Sequence, residues 1–266
     1  MRIISQVKTM YRVTTKLGIS HTLRLVKVKL SPVRPLSTEV NLEELNGVIQ
    51  ISSEKLLEIK FPTKGQEIWR LEREYLDYIN DFSQKQSLPR NDFFESVFDL
   101  GPSLAKFLYI AIRLTKPSKV IETGVAAGAS TNTLLTAIQS NGSGSLTSID
   151  ITPRVGELVD KKLRVLWDFQ IINPNKAEEE FLSVLMANRE AKFFLHDSDH
   201  SLDWQIIELS GVRRVLGDCN IVAFDDVSTD FLKNLITREP RVEVFLLNEQ
   251  RKYSAVIFFN QRDHVE

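Results

Sequence analysis

Lys119-Val-Ile-Glu-Thr-Gly-Val-Ala-Ala-Gly-Ala-Ser-Thr131, followed by Leu146-Thr-Ser-Ile-Asp150, decides the fold of this chain. An apolar run ends in a carboxylate, a glycine turn follows, and Ser130 and Thr131 open a helix. A second apolar run then ends in Asp150. An α/β fold builds a nucleoside pocket in this way. Glycines at 124 and 128 let the backbone pass close to a ligand, because a Cβ there would collide with it. Asp150 follows Gly128 by 22 residues, near the spacing that sets an acid on ribose hydroxyls.

Working outward, strand and helix patterns alternate from residue 119 onward. Strands are predicted at 119–124, 145–150, 169–173, 192–197, 220–226, 241–248 and 253–260. Helices are predicted at 130–140, 154–167, 176–188, 201–216 and 230–238. The first, fourth and fifth strands are near-continuous apolar runs, as in a parallel sheet covered on both faces. Only Glu249-Gln-Arg-Lys252 separates the last two, so they read as an antiparallel hairpin. The expectation is a doubly wound, Rossmann-like α/β sheet of seven strands with an antiparallel last strand, plus an N-terminal helical extension.

Upstream, Ile68, Leu71, Tyr75, Ile79 and Phe82 recur at helical spacing. Gln84 to Asn91 reads as a polar linker, and Gly101-Pro102 opens another helix. Residues 41 to 60 look partly helical. The expected division is a basic arm over 1–40, a helical cap over 41–115 and the nucleoside-binding domain over 116–266.

Composition sets the outer bounds. Of 266 residues, 42% are hydrophobic and 26% charged, enough apolar material for a sizeable core. The net charge of −1 argues against nucleic acid as a partner of the whole chain. The single cysteine, Cys219, excludes an internal disulfide framework and reads as a buried thiol. No apolar run nears the roughly 18 residues of a membrane span. No secretory signal is legible, so the expected compartment is cytoplasmic. Residues 1–38 hold no acid but eight Lys and Arg: Arg2, Lys8, Arg12, Lys16, Arg24, Lys27, Lys29 and Arg34. This arm reads first as a solvated extension. Beside that stand an arm for an anionic membrane surface and an organellar transit peptide.

The loop discriminates between ligands. A dinucleotide site wants Gly-x-Gly-x-x-Gly with pyrophosphate on the helix N-terminus. Here Ala126 stands where the middle glycine would be, and Glu122 ends the strand. An anion there repels pyrophosphate and favours a cationic ligand, such as an ammonium or a sulfonium. Over about residues 100–260 the chain resembles the class I S-adenosylmethionine-dependent methyltransferases. Its glycine stretch is similar to that family's first motif, Asp150 to its ribose-binding acid, and the closing hairpin to its antiparallel seventh strand. The resemblance implies that Glu122, Gly124 and Gly128 line the methionine side of the donor, with Ala126, Ser130, Thr131 and Asp197 beside it. It places Asn173 or Asn175 near adenine, although Asn173-Pro-Asn175 departs from the family's pattern.

A second constellation joins Phe194-Leu-His-Asp-Ser-Asp-His200 to Ala223-Phe-Asp-Asp-Val227. Both lie at the carboxyl ends of predicted strands, beside the crevice at the glycine loop. Crowded carboxylates need a cation, a raised pKa or solvent to compensate them. Oxygen ligands suit Mg²⁺, which would hold a substrate hydroxyl and lower its pKa. The arrangement resembles the metal-dependent O-methyltransferases of catechol type, which implies Asp197, Asp225 and Asp226 as metal ligands, Asp226 replacing that family's Asn. It resembles more closely a bacterial group with an Asp-x-Asp-His fourth motif. That group includes sugar and natural-product O-methyltransferases and cephalosporin-hydroxylase-like relatives.

His200 is the expected general base, since an imidazole titrates near working pH. His196 should point to the opposite side of the strand and reads as structural. Asp199 and Asp226 also read as cap or solvent residues, a reading that suits Asp199 or Ser201 best. Trp69 and Trp204 read first as core aromatics and secondarily as substrate contacts. His21 and His264 fall in tails and carry no case. The expected activity is methylation of a hydroxyl on a small molecule or sugar, with Asp197 beside His200 in the catalytic group. A homo-oligomer is compatible with this sequence. Two other readings stay open: an NAD(P)-dependent oxidoreductase on a similar sheet, and a non-catalytic cofactor-binding protein.

Overall fold

In the computed structural model, residues 40–86, 100–217, 219–249 and 252–259 are described. The basic arm up to residue 39, most of the predicted linker at 84–91, His21 and His264 lie outside the described residues.

In chain order the elements are β1 (Val48–Ile51), α1 (Ser53–Lys60), α2 (Gly65–Gln86) and α3 (Pro102–Thr115). Then come β2 (Lys119–Thr123), α4 (Ala129–Asn141), β3 (Ser145–Asp150), β4 (Trp167–Ile171) and α5 (Ala177–Ala187). The last third holds β5 (Phe193–His196), α6 (Leu202–Val215), β6 (Ile221–Phe224), α7 (Thr229–Arg238), β7 (Val242–Asn248) and β8 (Tyr253–Phe259). All eight strands form one sheet in the order β1-β7-β8-β6-β5-β2-β3-β4. β8 runs antiparallel to both neighbours, and every other pairing is parallel.

Side-chain alternation along the strands builds two cores. Val120, Leu146, Phe193, Leu195 and Ala223 face a layer of α1 to α4, including Leu56, Leu71, Leu104, Phe107 and Leu134. Ile121, Ile149, Phe194, Val222 and Phe224 face α5 to α7, including Phe181, Leu209, Val212, Phe231 and Leu235. Fully burying each such side chain contributes roughly 1.5–3 kcal/mol. The helices at 53–115 therefore share a layer with α4. Cys219 is buried, as its apolar context implied. No helix among the described residues is long and apolar enough to cross a membrane.

Three expectations need correcting. The sheet has an eighth strand, β1, where residues 41–60 read as partly helical. Its four residues carry an intermediate-exposed-exposed-intermediate pattern with no alternation to detect, and pairing with β7 alone makes it an edge. The helix predicted over 154–167 is a turn followed by a 3-10 helix, Lys161–Leu166. Gly156 interrupts it with φ +72°, and its N–H donates to the Ala126 carbonyl at 2.9 Å. Trp69 is not a core aromatic. It is 61% exposed, with the Arg73 guanidinium over its ring.

Candidate active site

β2 is the central element of the site because β3 and β5 pair with it on either side. Its last residues, Glu122 and Thr123, are buried, and the chain leaves the sheet at Gly124 with φ +81°. The glycine requirement turns out to be internal. A Cβ on Gly124 would meet the Asp197 carbonyl oxygen at 1.9 Å, and one on Gly128 the Gly156 Cα at 2.8 Å. The glycines let the loop nest against the chain leaving β5 and the β3–β4 connection.

Asp150 holds the same loop from the β3 side. Its carboxylate accepts from the Val125 N–H at 2.9 Å and from the Thr152 N–H at 3.0 Å. Burial raises its pKa, against the backbone hydrogen bonds that lower it. Ala126 takes φ +47°, a left-handed conformation unusual for a residue with a Cβ. The carbonyls of Ala126 and Ala127 accept from Gly156 and Leu158 at 2.9 Å each.

Glu122 lies beneath the loop, fully buried. Its Oε2 accepts from Thr131 and from Ser148, each at 2.7 Å, while Oε1 has no partner. Burial pushes the carboxyl up to about 7, against hydrogen bonds from Ser130, Ser148 and Thr131, and the charge of Asp150 adds to the rise. Ser130 and Thr131 thus turn inward to Glu122. Asn173, expected near adenine, caps the 3-10 helix Pro174–Lys176 by accepting from the Asn175 N–H.

At the end of β5, His196 is fully buried and pairs through Nδ1 with Glu208 Oε2 at 2.7 Å. Glu208 also accepts from Thr123 at 2.8 Å and Ser198 at 3.0 Å, and Ser198 accepts from the Trp204 indole at 3.1 Å. This agrees with a structural His196 and gives Trp204 a polar tether. Asp199 accepts from the Ser201 N–H at 3.0 Å, the local turn-capping role foreseen for it. Glu208 was not foreseen. Its signal was the inward face of α6, where Gln205, Glu208, Leu209 and Val212 recur at helical spacing with two polar members.

Ligand-capable atoms of Asp197, His200 and Asp225 lie within 4.8 Å of one another. Asp226, expected in the metal set, is outside this group; it turns the chain after β6 with φ +50°. His200 takes the third place. Its ring stands 5.3 Å from that of His196, edge to face. His200 is an exposed residue, and desolvation, followed by the proximity of His196, lowers its pKa. Burial raises the Asp197 pKa well above the usual carboxylate range, with the charge of Asp225 next in effect.

Asp225 is fully buried and its two oxygens are engaged. Ser254 donates to Oδ1 at 2.8 Å, and the Lys252 ammonium is paired with Oδ2. Burial alone would lower the Lys252 pKa, but Asp225 and then Asp197 override it and raise it, so the amine stays charged. As the side chains stand, a divalent ion would compete with Lys252 for Asp225. The donor set does not fit Mg²⁺ in this arrangement.

The comparisons agree with this frame. Residues 121–227 match a protein-family model described as a methyltransferase domain. No curated protein matches the chain. Among solved structures, the chain is similar to cofactor-bound Rv0187 from MTB (TM-score 0.50, 15% identity, 70% of this chain and 90% of that one). It is also similar to the SAH-bound Podospora anserina methyltransferase PaMTH1 (0.49, 14%, 70% and 96%). A third is the Bacillus cereus O-methyltransferase in complex with SAH (0.48, 13%, 78% and 96%). At such identities the likeness is one of fold: a Rossmann-like α/β sheet with antiparallel C-terminal strands.

Proposed function

We propose that this chain is an S-adenosylmethionine-dependent O-methyltransferase acting on a hydroxyl of a small molecule or sugar. The observation that carries the choice of donor is the ring of carboxyls around the glycine loop. Glu122 stands near the end of β2, Asp150 holds Val125, and the Asp197 carboxyl is close enough to Glu122 to feel its charge. All three carboxyl groups are raised in pKa by burial. A cationic ligand repays that desolvation, whereas a pyrophosphate increases it. The unpartnered Glu122 Oε1 gives the cationic end of such a donor a buried counter-charge.

When bound, the donor supplies an electrophilic methyl group on a sulfonium. The chain's own work is to hold an acceptor hydroxyl in line and to remove its proton. His200 suits the second task, being exposed and beside Asp197 and Asp225. Its lowered pKa keeps the ring neutral and able to accept. His196, fixed by Glu208, backs the His200 ring. Metal enters no step, because Asp225 is already engaged by Lys252 and Ser254.

Calorimetric titration with S-adenosylmethionine tests the donor, and S-adenosylhomocysteine release across a panel of hydroxyl acceptors tests the transfer. Saturable binding with turnover supports both. Binding of a reduced nicotinamide cofactor in its place would overturn the donor. Donor binding without turnover would leave a cofactor-binding protein.

A further inference from the structure

Among the described residues of the β7–β8 turn, Glu249 and Lys252 reach two different partners. Glu249, 5% exposed, seats its carboxylate on the N-terminus of α3, accepting from Ser103 N–H at 3.1 Å and Leu104 N–H at 2.8 Å. Gly101 leaves room for it: a Cβ there would lie 2.4 Å from the Glu249 Cδ. An anion at a helix N-terminus is favourable, so the turn is anchored. The turn is closed by Glu249 N–H donating to the Lys252 carbonyl at 3.0 Å. Across it, Lys252 pairs with Asp225, and Ser254 from the same strand holds the other Asp225 oxygen. Val227 N–H donates to the Tyr253 carbonyl at 2.9 Å, which locks the chain after β6 to β8.

We propose that Lys252 is the resident cation of the Asp197–His200–Asp225 cluster, and that it occupies there the place a divalent metal would otherwise take. Asp225 is fully buried and its charge bears on Asp197, and a fixed positive charge is one of the ways such crowded carboxylates are compensated. Lys252 supplies that charge covalently, at a fixed position, with 13% of its side chain exposed. The inference rests on the methyl-transfer reading for its consequence alone: transfer should proceed without added metal.

The test is Mn²⁺ binding to the purified full chain, read by the loss of the free-ion electron paramagnetic resonance signal. S-adenosylmethionine titration in the same samples reads the donor site separately. Wild type should bind no Mn²⁺ at millimolar concentration, and K252M should gain a saturable site that D225N removes from the double variant. K252Q repeats the test should K252M not fold. Saturable Mn²⁺ binding by wild type, lost in D225N, would overturn the proposal. So would two folded Lys252 variants that bind no Mn²⁺. Absence of donor binding in wild type would count against the methyltransferase reading and leave the metal result interpretable.

Discussion

A Cβ on Gly124 would stand 1.9 Å from the carbonyl oxygen of Asp197, so the glycine loop and the chain leaving β5 are packed backbone to backbone. That contact joins the glycine loop to the acidic cluster. Gly124→Ala should therefore act on both. The φ of +81° alone costs on the order of 1–2 kcal/mol for a residue with a Cβ, and the clash adds to it. Denaturant unfolding should show the loss of stability, and calorimetry a weaker S-adenosylmethionine affinity. Wild-type affinity in a folded variant would separate the loop from the site.

Glu122 should make stability pH-dependent. Its carboxyl is raised from 4.5 to about 7 in the folded chain, so the folded state resists ionisation. The sign follows: its contribution is fully present below 4.5 and is lost as pH rises through about 7. At ~1.4 kcal/mol per pH unit the penalty is on the order of 3 kcal/mol. Glu122→Gln should raise the melting temperature above about pH 7 and leave it unchanged below 4.5. Parallel melting profiles for the two proteins would contradict this.

Asp150 holds the loop through two amides, and the proposed function gives it a separable role on the donor ribose. Asp150→Ala strips acceptors from the Val125 and Thr152 amides and should cost about 1–3 kcal/mol of stability. Asp150→Asn keeps an acceptor for one amide but no charge. Both variants should bind S-adenosylmethionine more weakly by calorimetry. Unaltered affinity in the Asn variant would remove the ribose role and leave the loop-holding one.

His200→Ala should depress methyl transfer by ~10²–10⁴, the usual worth of a general base, with little change in donor affinity. Initial rates of S-adenosylhomocysteine formation at saturating donor give the comparison. An equal loss of donor affinity would assign His200 to binding.

Local chemistry explains which parts were legible. The loop Gly124–Gly128, Asp150 and the strand–helix alternation carry their signals within short windows: left-handed glycines, apolar runs and a capped turn. The edge strand β1 was missed because four residues are too few for either period to register. The helix expected at 154–167 fails because Gly156 takes a left-handed φ of +72°, which a right-handed helix cannot hold. Asp226 was placed in the metal set by family resemblance, and the resemblance carries no information on its left-handed backbone, φ +50°.

By itself the sequence determined the doubly wound sheet, the antiparallel closing strand and the convergence of the Asp197 and Asp225 strand ends beside the glycine loop. Periodicity and chain order suffice for those. The tertiary structure alone decided what compensates the buried acids. Lys252 lies 27 residues from Asp225 and is brought to it by the pairing of β8 with β6, while Glu249 ties the same turn to α3. Electrostatic pairing depends on distance through space, and no local pattern in the chain encodes it.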